Sequence, residues 1–336
     1  MPSTLPTRMV IDLPNWVGDQ VMALPAVDRL VAANAGGETT LHSRPAGRRL
    51  FASLFPMAEV VASPPKCSPI TTARRLCRDG GRFDVGITLR HAPRAKICLR
   101  LTARRSLGSD GDGGRLLLSE RYPVDRSRHQ VFDADPILEG LGLSGVDPRW
   151  RPSLPLELVE EGARELRRAG VARDGAIGVA PACARGETKR WPAAAYGELA
   201  RRMRGRGLEV VVVIGPGEAE LGRQVVAAAG RPLPVVGGNV DVAGLAGVLA
   251  RLSVLVCNDS GPMHLAAAVG IRMVALFGPT DPRRTGPLGD RHLVLRRDLE
   301  CAPCRARSCA LGHAACLREL PVERAERAVL EMLGRG

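Results

Sequence analysis

The chain has 336 residues, 45% hydrophobic and 25% charged, proportions that exclude a disordered or fibrous protein and leave length enough for two domains. Its formal charge of +13 favours anionic partners, yet aromatic residues make up only 3%, too few to build the stacked platforms of a single-stranded nucleic-acid binder. Only Lys66, Lys96 and Lys189 of the 48 basic residues are lysine, an arginine skew that GC-rich codon usage gives without functional selection.

Short β-branched runs alternate with longer Ala/Leu/Arg-rich helical stretches, the pattern of strands joined by crossover helices into a parallel sheet. In the first half the predicted strands are Met9–Leu13, Thr39–Ser43, Ala58–Ala62, Phe83–Leu89 and Arg105–Gly108. A Pro-containing linker near residues 145–157 follows, and the alternation restarts with Ala176–Ala180, Glu209–Gly215, Leu233–Val236, Val254–Asn258, Met273–Gly278 and His292–Leu295. A closing helix from Pro321 to Leu333 carries Val322, Ala325, Val329 and Leu333 at helical spacing, so it is expected to pack back on the body. The pattern therefore predicts domains at 1–150 and 151–320 with a terminal helix at 321–336. Both are α/β folds with ligand loops at the carboxyl ends of their strands, expected to face each other across a cleft.

No apolar run reaches the roughly 20 residues of a spanning helix, and the first residues lack a signal-peptide core, so the expected place is the cytoplasm. Arg74–Arg105 holds ten basic residues against Asp79 and Asp84, a candidate anion-facing surface. Nine cysteines in a reducing compartment argue against a disulfide framework. Four of them, Cys301, Cys304, Cys309 and Cys316, cluster with His313 in one polar loop. That density, with one close Cys-x2-Cys pair, points to a structural zinc ion, with iron–sulfur as the alternative.

Three loops carry candidate chemistry. The first, Asp12-Leu-Pro-Asn-Trp-Val-Gly-Asp19, follows the first strand and opens a helix expected near Val21. It is neither a dinucleotide fingerprint nor a P-loop, and it offers Asp19 either as a helix cap or as a carboxylate at the mouth of a ligand site. The second, Ala180-Pro-Ala-Cys-Ala-Arg-Gly-Glu-Thr-Lys-Arg-Trp-Pro192, places Lys189 before a helix, where it reads as a phosphate ligand or a solvated cation beside the equally basic Arg190. The third, Val256-Cys-Asn-Asp-Ser-Gly-Pro-Met-His-Leu-Ala-Ala-Ala268, is a buried strand running into an Ala-rich helix. Asp259 or Ser260 can cap that helix, and its free amides can meet an anion.

Taken together the three loops resemble glycosyltransferase family 9, the ADP-heptose:lipopolysaccharide heptosyltransferases. The matching segments are Pro14-Asn-Trp-Val-Gly-Asp-Gln-Val-Met22, Lys189-Arg-Trp-Pro192, Asn258-Asp-Ser-Gly-Pro-Met-His264 and Ala275-Leu-Phe-Gly-Pro-Thr-Asp-Pro282, in family order over nearly the whole chain and closest to the heptosyltransferase II branch. The resemblance implies a GT-B fold of two Rossmann-like domains and inverting transfer of heptose from ADP-heptose, without a metal or other cofactor in the chemistry. The implied acceptor is the heptose of a lipid A–Kdo–heptose inner core, met at the inner face of the inner membrane, with no nucleic-acid partner. It makes Asp19 the general base and assigns the donor to Lys189, Asp259, Ser260 and Gly261. Glu220 stands as ribose ligand beside an equal-looking Glu218. Met263 and His264 either touch the donor or face the core. Two departures stand out: Pro181-Ala182-Cys183 where Pro-Gly-Ala is usual, and Arg90-His91-Ala92 where Pro-Asn-Ser is usual. Donor motifs leave open a relative with another nucleotide-heptose or another surface-glycan or protein acceptor, or a non-catalytic nucleotide-binding protein.

Overall fold

The computed structural model describes residues 8–78, 80–184 and 186–334. Asp79 of the basic stretch and Arg185 of the second loop lie outside the described residues. The chain divides into two compact units, Met1–Pro152 and Ser153–Gly336.

The first unit is one six-stranded sheet of β1 (Arg8–Asp12), β2 (Glu38–Ser43), β3 (Glu59–Ala62), β4 (Phe83–Thr88), β5 (Ala103–Ser109) and β6 (Glu120–Tyr122), in the order β3-β2-β1-β4-β5-β6. The second is built from β7 (Ile177–Ala180), β8 (Val210–Val213), β9 (Val235–Val236), β10 (Val254–Asn258), β11 (Arg272–Phe277) and β12 (His292–Arg296), in the order β12-β11-β10-β7-β8-β9. Every neighbouring pair is parallel, as in β1 with β4 and β10 with β7. Renumbered within its unit, the second order is the same as the first, and it is that of dinucleotide-binding folds. Helices cover both faces of such sheets, so central strands are apolar throughout: Val254 to Asn258 is buried at every position.

In both units the order reverses beside the first strand, between β1 and β4 and between β7 and β10. Loops leaving neighbouring strands in opposite directions open a crevice at the carboxyl edge there. The backbone at that edge is fixed by ladder extensions, with Leu13 N–H donating to His42 O and Leu89 N–H donating to Asp12 O, both at 2.9 Å.

The closing helix, Val322–Gly334, buries Ala325, Ala328, Val329 and Met332 in the core of the second unit with β10, β11 and the helix Ala193–Gly205. Arg202 of the latter helix joins it through Glu323 at 2.6 Å and Glu326 at 3.0 Å.

The basic stretch is not one continuous charged face. Arg90 and Lys96 are buried, Lys96 donating to Gly111 O, and Arg104 and Arg105 pair with Asp84 and Glu120. A sequence count cannot see this because strands and helices of the stretch alternate inward and outward positions.

Candidate functional site

The loop after β1 turns directly into the helix Val17–Met22, earlier than expected, with Trp16 as N-cap residue. Asp19 therefore lies inside the first turn and is not the cap. Its Oδ1 accepts from Gln130 Nε2 at 3.1 Å, an interaction spanning 111 residues of sequence. Gln130 opens the 3-10 helix Gln130–Ala134 and was not singled out from sequence, since a lone glutamine in a polar segment carries no signal.

Asp19 lines a cavity of about 220 Å³ at the carboxyl edge of the first sheet, together with Trp16, His91, Tyr122, Gln130 and Asp133. Trp16 is 51% exposed, and His91 Nδ1 lies 3.1 Å from Ser109 Oγ and Nε2 3.7 Å from Asp133 Oδ2. A carboxylate, an imidazole and an exposed indole around one cavity suit a polyhydroxylated ligand: polar groups take its hydroxyls while an apolar face takes its C–H groups.

Behind that wall lies a buried ionic cluster. Asp12 Oδ1 meets His42 Nδ1 at 2.6 Å and Arg90 Nη2 at 3.0 Å, and its Oδ2 accepts from Thr88 Oγ1 at 2.9 Å. Burial pushes the Asp12 carboxyl up, but Arg90, His42 and Thr88 together outweigh it and hold the group below its ordinary value.

In the second unit the loop after β7 ends in the 3-10 turn Glu187–Lys189. Lys189 is not a solvated loop cation: its Nζ lies 2.5 Å from Asp259 Oδ2, which also accepts from Thr280 Oγ1 at 2.7 Å. Three loops, following β7, β10 and β11, thus converge on one carboxylate. Asn258 ties the loop after β7 to the end of β10: its Oδ1 accepts from Trp191 N–H at 3.0 Å and its Nδ2 donates to Pro181 O at 2.8 Å. Trp191 is a buried anchor, donating to Leu320 O at 3.0 Å and packed edge-on to Tyr196 at 4.9 Å. Asn258 and Thr280 both lie in the family-like segments, the one signal that could have identified them.

Ser260 holds the N-cap position of the helix Gly261–Val269 without a side-chain cap, its hydroxyl donating to Asn258 O at 3.1 Å. Pro262 has no N–H, and the Met263 and His264 amides donate to Ser260 O at 3.1 and 3.4 Å, so the first turn has Gly261 N–H to offer a ligand. Met263 and His264, offered as donor contacts or core residues, are both buried, Met263 completely. Glu218 and Glu220 separate clearly: Glu218 folds back to accept from Gly215 N–H at 2.6 Å, whereas Glu220 stands out from the helix Ala219–Ala229 and pairs with Arg223 at 2.5 Å.

At Cys301, Cys304, Cys309 and Cys316, where zinc was expected, no group of three His, Cys, Asp or Glu side chains gathered for a metal ion is found among the described residues. Cys309 Sγ accepts from Ala314 N–H at 3.4 Å, which with neighbouring backbone amides draws its thiol below the ordinary range, while Cys304 is exposed and His313 Nδ1 accepts from Ala315 N–H at 3.0 Å. The loop instead braces the Lys189 turn: Thr188 Oγ1 donates to Ala306 O at 2.9 Å, and Arg305 N–H donates to Pro279 O at 2.7 Å.

The family model described as glycosyltransferase family 9 (heptosyltransferase) matches residues 71–315. The chain belongs to glycosyltransferase family 9. Lipooligosaccharide heptosyltransferase 2 of Campylobacter jejuni subsp. jejuni serotype O:2 is 26% identical over 326 residues, covering 94% of this chain and 95% of the relative. The enzyme of the same name from Haemophilus ducreyi is 30% identical over 317 residues, covering 86% and 88%. Among solved structures, E. coli ADP-heptose lps heptosyltransferase II aligns over 98% of this chain and 99% of its own, with a TM-score of 0.80 at 20% identity. This family 9 chain accordingly has the GT-B type of α/β architecture, a parallel six-stranded sheet in each unit.

Proposed function

We propose that this family 9 heptosyltransferase moves L-glycero-D-manno-heptose from ADP-heptose to the heptose of a lipopolysaccharide inner core, with inversion at the anomeric carbon. The observation that carries the reading is Asp19, held by Gln130 in a cavity with the mixed polar and apolar lining of a sugar site. In inverting transfer one carboxylate takes the proton of the acceptor hydroxyl while oxygen attacks the anomeric carbon opposite the leaving group. Asp19 is the group of the first unit assigned that task.

The second unit is assigned the donor. Lys189 and the amides of Ser260 and Gly261 take the charge that develops on the departing diphosphate, and Asp259 with Thr280 fixes Lys189. Glu220, exposed on its helix, is the ribose ligand in place of Glu218. The chain's own groups carry proton and charge through the proposed reaction. The acceptor is met at the inner face of the inner membrane.

The test is turnover of ADP-heptose with heptosylated and non-heptosylated lipid acceptors, beside Asp19→Asn. Removing a general base lowers the rate by about 10²–10⁴-fold, so kcat is expected to fall by that factor with ADP-heptose binding intact. A fully active Asp19→Asn enzyme removes Asp19 from the mechanism, and turnover confined to a non-heptosylated acceptor overturns the acceptor assignment.

A further inference from the structure

A second cavity in the first unit, about 180 Å³, lies at the carboxyl ends of β1, β2 and β4 and is lined by Asp12, His42, Arg44, Arg90 and Arg94 among others. Liquid water occupies about 30 Å³ per molecule, so the space exceeds what one bridging water fills. Three guanidinium groups face it against the single lining carboxylate, Asp12, which is already engaged by His42, Thr88 and Arg90.

Two polar atoms of this lining are buried without a hydrogen-bond partner, His42 Nε2 and Arg90 Nη2. Arg90 Nη2 stands 3.0 Å from Asp12 Oδ1 but makes no hydrogen bond to it. Both residues are buried, 2% and 9% exposed. A buried polar group left without a hydrogen bond is unfavourable, and the Arg90 guanidinium in a cavity lined by two further arginines calls for an acceptor. Arg44 is positioned rather than free: its Nε donates to Asn15 Oδ1 at 2.7 Å and its Nη1 to Pro64 O at 2.7 Å. Burial, and after it the charge of Arg90, draws the Arg44 guanidinium below its ordinary value, with the Asp12 carboxylate opposing the shift.

We propose that the cavity bounded by His42, Arg44, Arg90 and Arg94 is a binding site for a phosphate-class oxyanion. Forked guanidinium donors match the oxygens of a phosphate group, and a tetrahedral anion offers acceptors enough for Arg44, Arg90 and Arg94 together. Asn15, Arg90 and Ala92 line both this cavity and the one that holds Asp19. The anion is therefore a phosphate substituent of the acceptor, seated beside the sugar whose hydroxyl Asp19 deprotonates; this last assignment rests on the heptosyl-transfer reading, whereas the anion site does not.

Titration calorimetry of the full chain with inorganic phosphate, at constant ionic strength and with acetate as comparator, tests the site without turnover. Saturable phosphate binding is expected, weakened about tenfold in Arg44→Gln and a few-fold in Arg94→Gln, a group exposed enough to leave the fold intact, and unchanged in Arg231→Gln, an exposed arginine of the second unit. No saturable binding, equal affinity in both cavity variants and the native protein, or equal weakening by Arg231→Gln overturns it. A second arm compares acceptor before and after phosphatase treatment. A rise in KM for the native enzyme that Arg44→Gln does not show assigns the site to the acceptor's phosphate. An unchanged KM beside intact phosphate binding overturns that assignment and leaves a site for free phosphate. A protein that binds phosphate yet transfers no heptose sinks the transferase reading alone.

Discussion

Asp12 shows how much of the first unit hangs on one side chain. Fully buried, it accepts from Thr88 and faces His42 and Arg90, so the ends of β1, β2 and β4 meet at its carboxylate. Because its folded pKa lies below the ordinary 3.8, its stabilising contribution is fully present above that value and is lost as the pH falls through the depressed one. Asp12→Asn removes one partner of a buried ionic cluster and is expected to destabilise by about 3–5 kcal/mol at neutral pH. Urea unfolding from about pH 7 down to about pH 3 should also show a flatter acid limb in the variant than in the native chain. Equal acid limbs would mean that Asp12 carries no linked proton. Asp19, seven residues on, was legible as a candidate because it follows a strand and a glycine. Gln130 was not, because its value lies entirely in a contact that the fold creates.

At the scale of elements, strand positions followed from the alternation of apolar runs and came within two residues of those observed, β10 at Val254–Asn258 without any shift. The short edge strand β6, Glu120–Tyr122, was missed: three residues of mixed polarity have no periodicity to read. Glycine roles were equally hidden. The helices Leu156–Arg168 and Val242–Ala250 cross at Gly162 and Gly247, where a Cβ on Gly247 would stand 1.9 Å from Leu158 O and one on Gly162 2.0 Å from the Gly247 carbonyl carbon. Backbone cannot step aside as a side chain can. Gly247→Ala gains up to about 1 kcal/mol of helix propensity but loses about 3 kcal/mol to overpacking. A net loss of about 2 kcal/mol should lower Tm by about 4–8 °C in calorimetry of the whole chain. A Tm equal to or above the native value would show that the crossing loosens without penalty. The cysteine loop carries a role that spacing does not announce: it braces the Lys189 turn through Thr188.

The whole molecule repeats one device. Each unit reverses its strand order beside its first strand, and the candidate groups of each gather at that carboxyl edge. No helix among the described residues is long and apolar enough to cross a membrane. With the chain at +13, and with Arg74, Arg75, Arg78 and Arg100 exposed, binding to anionic vesicles should be strong at low salt. It should fall steeply towards 1 M as the Debye length shrinks from about 30 Å at 0.01 M to about 3 Å. Co-sedimentation that ignores salt would return the arginine excess to composition. The sequence by itself determined the class of fold, the two rounds of strand and helix, and the loops that carry chemistry, because hydrophobic periodicity and helix-start residues are local properties of a chain. Only the tertiary structure decided that Gln130 meets Asp19, that Asn258 ties the loop after β7 to the end of β10 beside Lys189, and that three arginines line one cavity with Asp12 and His42. Contacts between residues far apart in sequence depend on which strands become neighbours, and that order is written in packing rather than in any one segment.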